Sequence, residues 1–368
     1  MPDKKIYTAD RIFTGETWLT NQAIIVEDGK INSLVPVSSL SSSQHVEQFY
    51  GCIIAPAFID LQIYGAHGKL LAVYPETDSL FKLNEYCIKG GTAFCLPTVA
   101  TNTPDTFYKS IDAVKDYWKK GGEGILGLHI EGPWINPAKR GAHIESLIHS
   151  PTVKETEDLL NYGKGIIKMI TLAPEMCSKE IIELILSYHI VIAAGHSNAT
   201  YKEAVQSFDS GISTVTHLYN AMSPLQHRAP GLVGATFDHP KVMASIIPDG
   251  HHVDIAAIRI AKKIMKERLF AITDAVTDTT KGYYQHELAG DKYEAAGILS
   301  RSALTMNQAL KNLVNHAGIE LSETLRMCSL YPARVMKLDN SIGMIAEGYQ
   351  SKCVVLDPEF EVVAMPGS

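Results

Sequence analysis

Four stretches of this chain each end an apolar run on residues able to bind a cation or move a proton: Leu128-His129-Ile130-Glu131-Gly132-Pro133-Trp134, Ala193-Ala194-Gly195-His196-Ser197, Thr216-His217-Leu218 and Ile272-Thr273-Asp274-Ala275. Two neutral imidazoles and one carboxylate supply three N/O ligands to a divalent ion and leave a position open for water, the arrangement of a catalytic rather than a structural site. Such an ion lowers the pKa of water and polarises an amide carbonyl. A further carboxylate, Asp274, is placed to take the water's proton and later deliver it to a departing amine. One His or Asp at a strand end is ordinarily a hydrogen-bonding or capping residue. Several together at strand exits point to a site.

Such groups need a scaffold that gathers distant strand ends, and the chain has the texture of one. From residue 53 onward short apolar runs alternate with longer amphipathic stretches, the pattern of repeated βα units. Eight runs stand out: 53–61, 92–98, 125–130, 166–172, 190–194, 213–216, 243–247 and 269–273. The pattern predicts helices between them over 105–120, 179–188, 201–208 and 254–267, and two more, 307–316 and 323–330, after the last run. Eight such units close as a (β/α)8 barrel, whose catalytic groups sit at the C-terminal ends of the strands. The candidate residues occupy the exits of runs three, five, six and eight.

The two ends of the chain read differently. Short apolar runs with turn residues, including the hairpin signal Asp28-Gly29, predict antiparallel strands at the start, and strand-like runs return after Gly348. A small β-sandwich domain built from both ends, 1–54 and 345–368, is therefore expected around a barrel at 55–344. A length of 368 residues suits this division, since such a barrel takes about 250 residues. The net charge of −7 argues against broad binding to nucleic acid or to an anionic membrane, while allowing one local basic pocket for phosphate. With no signal-like N-terminal run and no stretch long enough to span a bilayer, the sequence predicts a cytoplasmic protein. Six scattered cysteines without a CxxC pair predict reduced, mostly buried thiols.

With these motifs in order, the chain resembles the sugar-phosphate deacetylases of the amidohydrolase superfamily over nearly its whole length. The matching segments include Ala55-Pro56-Ala57-Phe58-Ile59-Asp60, the Glu131 and His196 motifs above, Thr216-His217-Leu218-Tyr219-Asn220-Ala221-Met222, Pro230-Gly231-Leu232-Val233-Gly234 and Asp249-Gly250-His251-His252-Val253. The resemblance implies a TIM-like barrel of the amidohydrolase type and hydrolysis of the acetamide of N-acetyl-D-glucosamine 6-phosphate, in amino-sugar catabolism. It also implies one divalent ion per subunit, zinc in the first place, with iron, cobalt or manganese equally suited to two His and one Glu. Glu131, His196 and His217 would hold the ion, Asp274 would act as general base and acid, and His143 would orient the acetyl carbonyl. Ala142, Asn220, Ala221, Leu299 and Ser300 would lie near the sugar. Arg228 and His252 would bind its phosphate, Arg228 from the neighbouring subunit of a homodimer.

The pattern is departed from in two places. Many amidohydrolases carry His-x-His at the end of the first strand, as ligands to a second ion; here the positions read Gln62-Ile63-Tyr64, which predicts a single-metal site. The fourth run exits as Leu172-Ala173-Pro174-Glu175, without the lysine that would bridge two ions. In the run Gly297-Ile298-Leu299-Ser300-Arg301-Ser302, Arg301 stands where the family usually has glycine, which leaves the substrate contacts of that expected loop open. Deacetylation of N-acetylgalactosamine 6-phosphate or of an N-acyl amino acid remains an alternative on the same barrel, as does a non-catalytic barrel, whose signature would be missing metal residues.

Overall fold

The computed structural model describes residues 4–289, 292–295 and 298–367. Eight strands form one sheet in chain order: Phe58–Ile63 (β1), Thr92–Ala100 (β2), Leu128–Glu131 (β3), Ile167–Leu172 (β4), Val191–Ala194 (β5), Thr214–Val215 (β6), Met243–Ile246 (β7) and Leu269–Ala271 (β8). The strands run parallel, and the chain just beyond β8 bonds back to β1 through Asp274 N–H to the Gln62 carbonyl and Tyr64 N–H to the Ala275 carbonyl, both 2.9 Å. The sheet is thereby a nearly closed barrel. Parallel strands covered on both faces carry continuous apolar runs, and β1 and β2 are buried at every residue.

Several crossover helices begin on side-chain caps. Pro104–Lys119 starts behind Thr103, whose hydroxyl accepts from Thr106 N–H, with Pro104 in the first turn; it buries Phe107, Ile111 and Val114. Tyr201–Asp209 opens on a reciprocal capping box between Thr200 and Glu203. Helices Thr77–Lys89, Val153–Tyr162, Lys179–Ser187, Gly231–Asp238 and Ile255–Met265 fill further crossovers.

Barrel strands two to eight lie on the predicted runs. The first run divides: its opening residues end a strand, Glu47–Pro56, of a different sheet, and β1 starts only at Phe58. An unbroken apolar run carries no mark of where one sheet hands over to the next. That second sheet has seven strands from both chain ends, in the order Val362–Ala364, Cys353–Leu356, Glu47–Pro56, Lys4–Phe13, Gln22–Glu27, Lys30–Pro36, with Trp18–Leu19 beside Lys4–Phe13. The Asp28-Gly29 turn joins two of them with both residues at positive φ, 50° and 75°, the conformation a two-residue hairpin needs.

A three-stranded antiparallel sheet, Glu287–Ala289, Lys292–Ala295 and Ile298–Ser302, was not foreseen. It corrects the expected substrate loop: Ile298 to Ser302 is strand, and Gly297 lies outside the described residues. By packing, the chain forms two compact units, one of residues up to Asp60 with Cys87–Phe94 and Thr305 onward, the other of Leu61–Tyr86 and Cys95–Leu304. Among the described residues no helix is long and apolar enough to cross a membrane.

Candidate metal and catalytic centre

Along β3 side chains alternate, so His129 and Glu131 share the inner face at two levels. His129 is structural: its ring bonds the Leu61 carbonyl at 3.0 Å and Thr171 Oγ1 at 2.8 Å. Glu131, one layer up and fully buried, is the hub. His196 Nε2 and His217 Nε2 each stand 3.2 Å from Glu131 Oε1 and 3.1 Å from each other. His143 Nε2 addresses the other oxygen, Oε2, also at 3.2 Å. Donor atoms of Glu131, His143 and His196 fall within 4.8 Å of one another, a possible metal site. The tighter triangle is the one that shares Oε1, and it contains His217 rather than His143.

The His196 tautomer fits a cation. His196 Nδ1 lies 2.9 Å from the Lys139 carbonyl, which can only accept, so Nδ1 carries a proton and Nε2 is the nitrogen left to face the carboxylate. A metal ligand must be the neutral imidazole, and in that form Nε2 and Glu131 Oε1 are two acceptors that a cation between them would satisfy. Donors bonded to one tetrahedral ion at about 2.0–2.1 Å stand roughly 3.3 Å apart, close to the separations found here. Among the described residues His217 Nδ1 is buried without a hydrogen-bond partner, so no neighbour fixes its tautomer.

Strand-end geometry presents these groups at a cost. His196, His217, Tyr219, Ala221 and Asp274 all have positive φ, 47°, 34°, 79°, 49° and 54°. Each such non-glycine conformation costs on the order of 1–3 kcal/mol, and clusters of them mark functional sites. His143 arrives from the segment after β3, its Nδ1 held by Thr101 Oγ1 at 2.6 Å. Gly132 makes room for this: at φ 76°, a Cβ there would lie 2.2 Å from the same Thr101 hydroxyl. Asp274, buried, is linked to the hub by Gln62, whose amide nitrogen donates to Asp274 Oδ1 at 2.7 Å and stands 3.1 Å from Glu131 Oε1.

The structure thus gathers Glu131, His143, His196, His217 and Asp274. The remaining predicted residues stand as follows. Asn220 is half-buried beside the hub, its amide 3.4 Å from the His217 carbonyl, and the Ala221 carbonyl accepts from Ser197 N–H. Ala142 is exposed in the turn before His143. Arg228 is exposed in the turn closed by Gln226 and Ala229. His252 donates from Nδ1 to Asp249 Oδ2 at 2.6 Å. Burial alone would raise the Asp249 carboxyl, but the bonds from His252 and His251 outweigh it and hold its pKa below the usual 3.8. Leu299 and Ser300 lie in a strand, and their side chains are outside the described set.

Sequence reasoning passed over four supporting residues: Gln62, Tyr64, Thr101 and Glu175. Gln62 and Tyr64 were weighed only as poor ligands, although their i, i+2 spacing at the exit of β1 already set both side chains on the inner face. Glu175 accepts from Asn136 Nδ2, Ser197 Oγ and Asn198 N–H at 3.0, 2.7 and 2.6 Å, and so ties together the segments after β3 and β5.

A buried Glu-His-His cluster with a second carboxylate at the C-terminal mouth of such a barrel defines a metal-dependent hydrolase. Residues 53–367 match the amidohydrolase family and residues 6–54 the NagA composite domain. The chain belongs to the amidohydrolase family and is an enzyme. It is 31% identical to the N-acetylglucosamine-6-phosphate deacetylase of Haemophilus influenzae, over 96% of this chain and 95% of that protein. It is 29% identical to the N-acetylgalactosamine-6-phosphate deacetylase of Escherichia coli O157:H7, over 97% and 96%. Among solved structures, N-acetylglucosamine-6-phosphate deacetylase from Pasteurella multocida superposes with a TM-score of 0.94 at 31% identity, covering 98% of this chain and 97% of that one.

Proposed function

We propose that this enzyme hydrolyses the acetamide of N-acetyl-D-glucosamine 6-phosphate to D-glucosamine 6-phosphate and acetate. One observation carries the reading: a single buried carboxylate oxygen, Glu131 Oε1, meets two imidazole nitrogens at 3.2 Å with a second buried carboxylate, Asp274, one amide away. Glu131, His196 and His217 would hold one divalent ion per subunit, zinc first, with iron, cobalt or manganese as alternatives. A divalent ion held there would polarise the acetamide carbonyl and make water acidic. Asp274 takes the proton of the attacking water and returns it to the departing amine. His143, steadied by Thr101, presents Nε2 to the acetyl oxygen.

Ala142, Asn220, Ala221, Leu299 and Ser300 would line the sugar. Arg228 and His252 would bind the 6-phosphate, where a guanidinium makes paired charge-assisted bonds. That grip, remote from the reacting carbonyl, supplies binding energy that holds the acetamide in line. The exposure of Arg228 suits a residue that reaches the active site of a second subunit, and the enzyme is read as a cytoplasmic homodimer.

The similarity to the E. coli relative favours a second reading, in which the substrate is the galactosamine epimer. Metal analysis of the purified protein, combined with acetate release from both sugar phosphates and from unphosphorylated N-acetylglucosamine, tests the proposal. Preference for the unphosphorylated sugar, or turnover without metal, would overturn it.

A further inference from the structure

The exit of β1 holds a side-chain pair for which the reaction above has no step. Gln62 and Tyr64 are 2% and 3% exposed and sit where many amidohydrolases carry imidazole ligands to a second ion. Gln62 Nε2 reaches three acceptors: Asp274 Oδ1 at 2.7 Å, Tyr64 Oη at 2.7 Å and Glu131 Oε1 at 3.1 Å. Tyr64 Oη lies 2.5 Å from Glu131 Oε2. The hydrogens can be assigned from chemistry. An amide oxygen turned toward two carboxylates would repel both, so the nitrogen faces them. Its two hydrogens go to the closer acceptors, Asp274 Oδ1 and Tyr64 Oη, with the longer contact to Glu131 Oε1 at most shared, and the phenol's one hydrogen goes to Glu131 Oε2.

The ring that carries this hydroxyl is fixed. Tyr64 packs with Leu70, Ala100, Val276, Tyr284 and Tyr293, and its N–H is tied to the Ala275 carbonyl at 2.9 Å. A short bond from a rigid neutral donor to one carboxylate oxygen divides the two oxygens by role. Oε2 is met by the phenol at 2.5 Å and by His143 Nε2 at 3.2 Å, and Oε1 faces His196 and His217.

Resting on the metal centre proposed above, we propose that Tyr64 is a positioning residue that locks Glu131 so that it offers the ion Oε1 alone. Gln62 couples the same lock to Asp274, which sets ligand and general base in one register. Ligands oriented by such partners bind more tightly, and loss of the partner typically lowers metal affinity about 10–100-fold.

Tyr64→Phe keeps the ring and removes only the hydroxyl. Zinc affinity is to be measured by competition with a chromogenic chelator, together with the visible spectrum of the cobalt-loaded protein. The expected result is a zinc affinity about 10–100-fold weaker than wild type, with weaker cobalt bands as Glu131, released at Oε2, turns bidentate and raises the coordination number. Tyr284→Phe is the control. It removes a buried phenol from the same apolar cluster, one bonded to the Thr101 carbonyl at 2.7 Å rather than to Glu131, and is expected to stay within about twofold. Equal losses in both variants, or an unchanged affinity and cobalt spectrum in Tyr64→Phe, would overturn the role of Tyr64 and leave the metal centre standing. Wild-type protein that takes up no zinc would overturn the centre itself.

Discussion

Removing the Glu175 carboxylate tests whether the segments flanking His196 are held by acceptor count or by shape. Its two oxygens accept three bonds: Oε1 from Asn136 Nδ2 and Asn198 N–H, Oε2 from Ser197 Oγ. Asn136 in turn donates its backbone N–H to the His196 carbonyl at 2.9 Å, so the network closes around that imidazole. Bonds to a charged group contribute about 1.5–3 kcal/mol each when fully buried. Glu175 is half-exposed, and about 1 kcal/mol apiece is the fitting figure. Glu175→Ala, which strands all three donors, is then expected to cost about 3 kcal/mol. Glu175→Gln keeps a carbonyl where two donors converge and turns its amide toward the Ser197 hydroxyl, which can accept, but it loses the charge, so it should cost roughly a third to a half of that. At about 2–4 °C per kcal/mol for a body of this size, calorimetry should show the alanine variant melting about 6–12 °C lower and the glutamine variant about 2–6 °C lower. Zinc affinity should follow the same order, because His196 loses its support. Glu157→Ala, which removes an exposed carboxylate on the helix Val153–Tyr162, controls for net charge. Equal melting of the alanine and glutamine variants, or a zinc affinity untouched in both, would refute the reasoning.

Three further outcomes are expected. Asp274→Asn can keep its bond to Gln62 through the amide oxygen, so metal content should be retained while kcat for acetate release falls about 10²–10⁴-fold; a loss below tenfold would remove Asp274 as the base. Burial, with the Glu175 charge, pushes the Cys177 thiol up to about 12, so at pH 8 its thiolate fraction is on the order of a thousandth of an ordinary cysteine's, and alkylation of the native protein should spare it until unfolding. His149 is opposed by partial burial, yet its bonds to Glu155 and the Leu147 carbonyl leave its pKa above the usual 6.5. The stability it contributes is complete below pH 6.5 and lost as pH rises through the folded value, so the melting gap between wild type and His149→Gln should be wide at pH 6 and narrow at pH 8.5.

The sequence alone placed seven of the eight barrel strands, because strands buried on both faces read as near-continuous apolar runs. The residues at four of those ends, Glu131, His196, His217 and Asp274, were legible for the same reason: a local pattern sets the strand, and the strand sets the exit. The Asp28-Gly29 turn was legible too, since two adjacent positive φ values are a local demand. Long-range contact decided the rest. The boundary at Pro56 depends on which sheet each half of one apolar run joins, and no residue type marks that choice. The three-stranded sheet over 287–302 was hidden because its strands are short and lack a clean alternation. Which oxygen of Glu131 faces His196 and His217, and that Gln62 and Tyr64 hold it there, follows from closing the barrel between residues 62 and 274, partners 212 positions apart in the chain. A linear pattern encodes the direction in which a side chain points; only the packed barrel fixes what it meets.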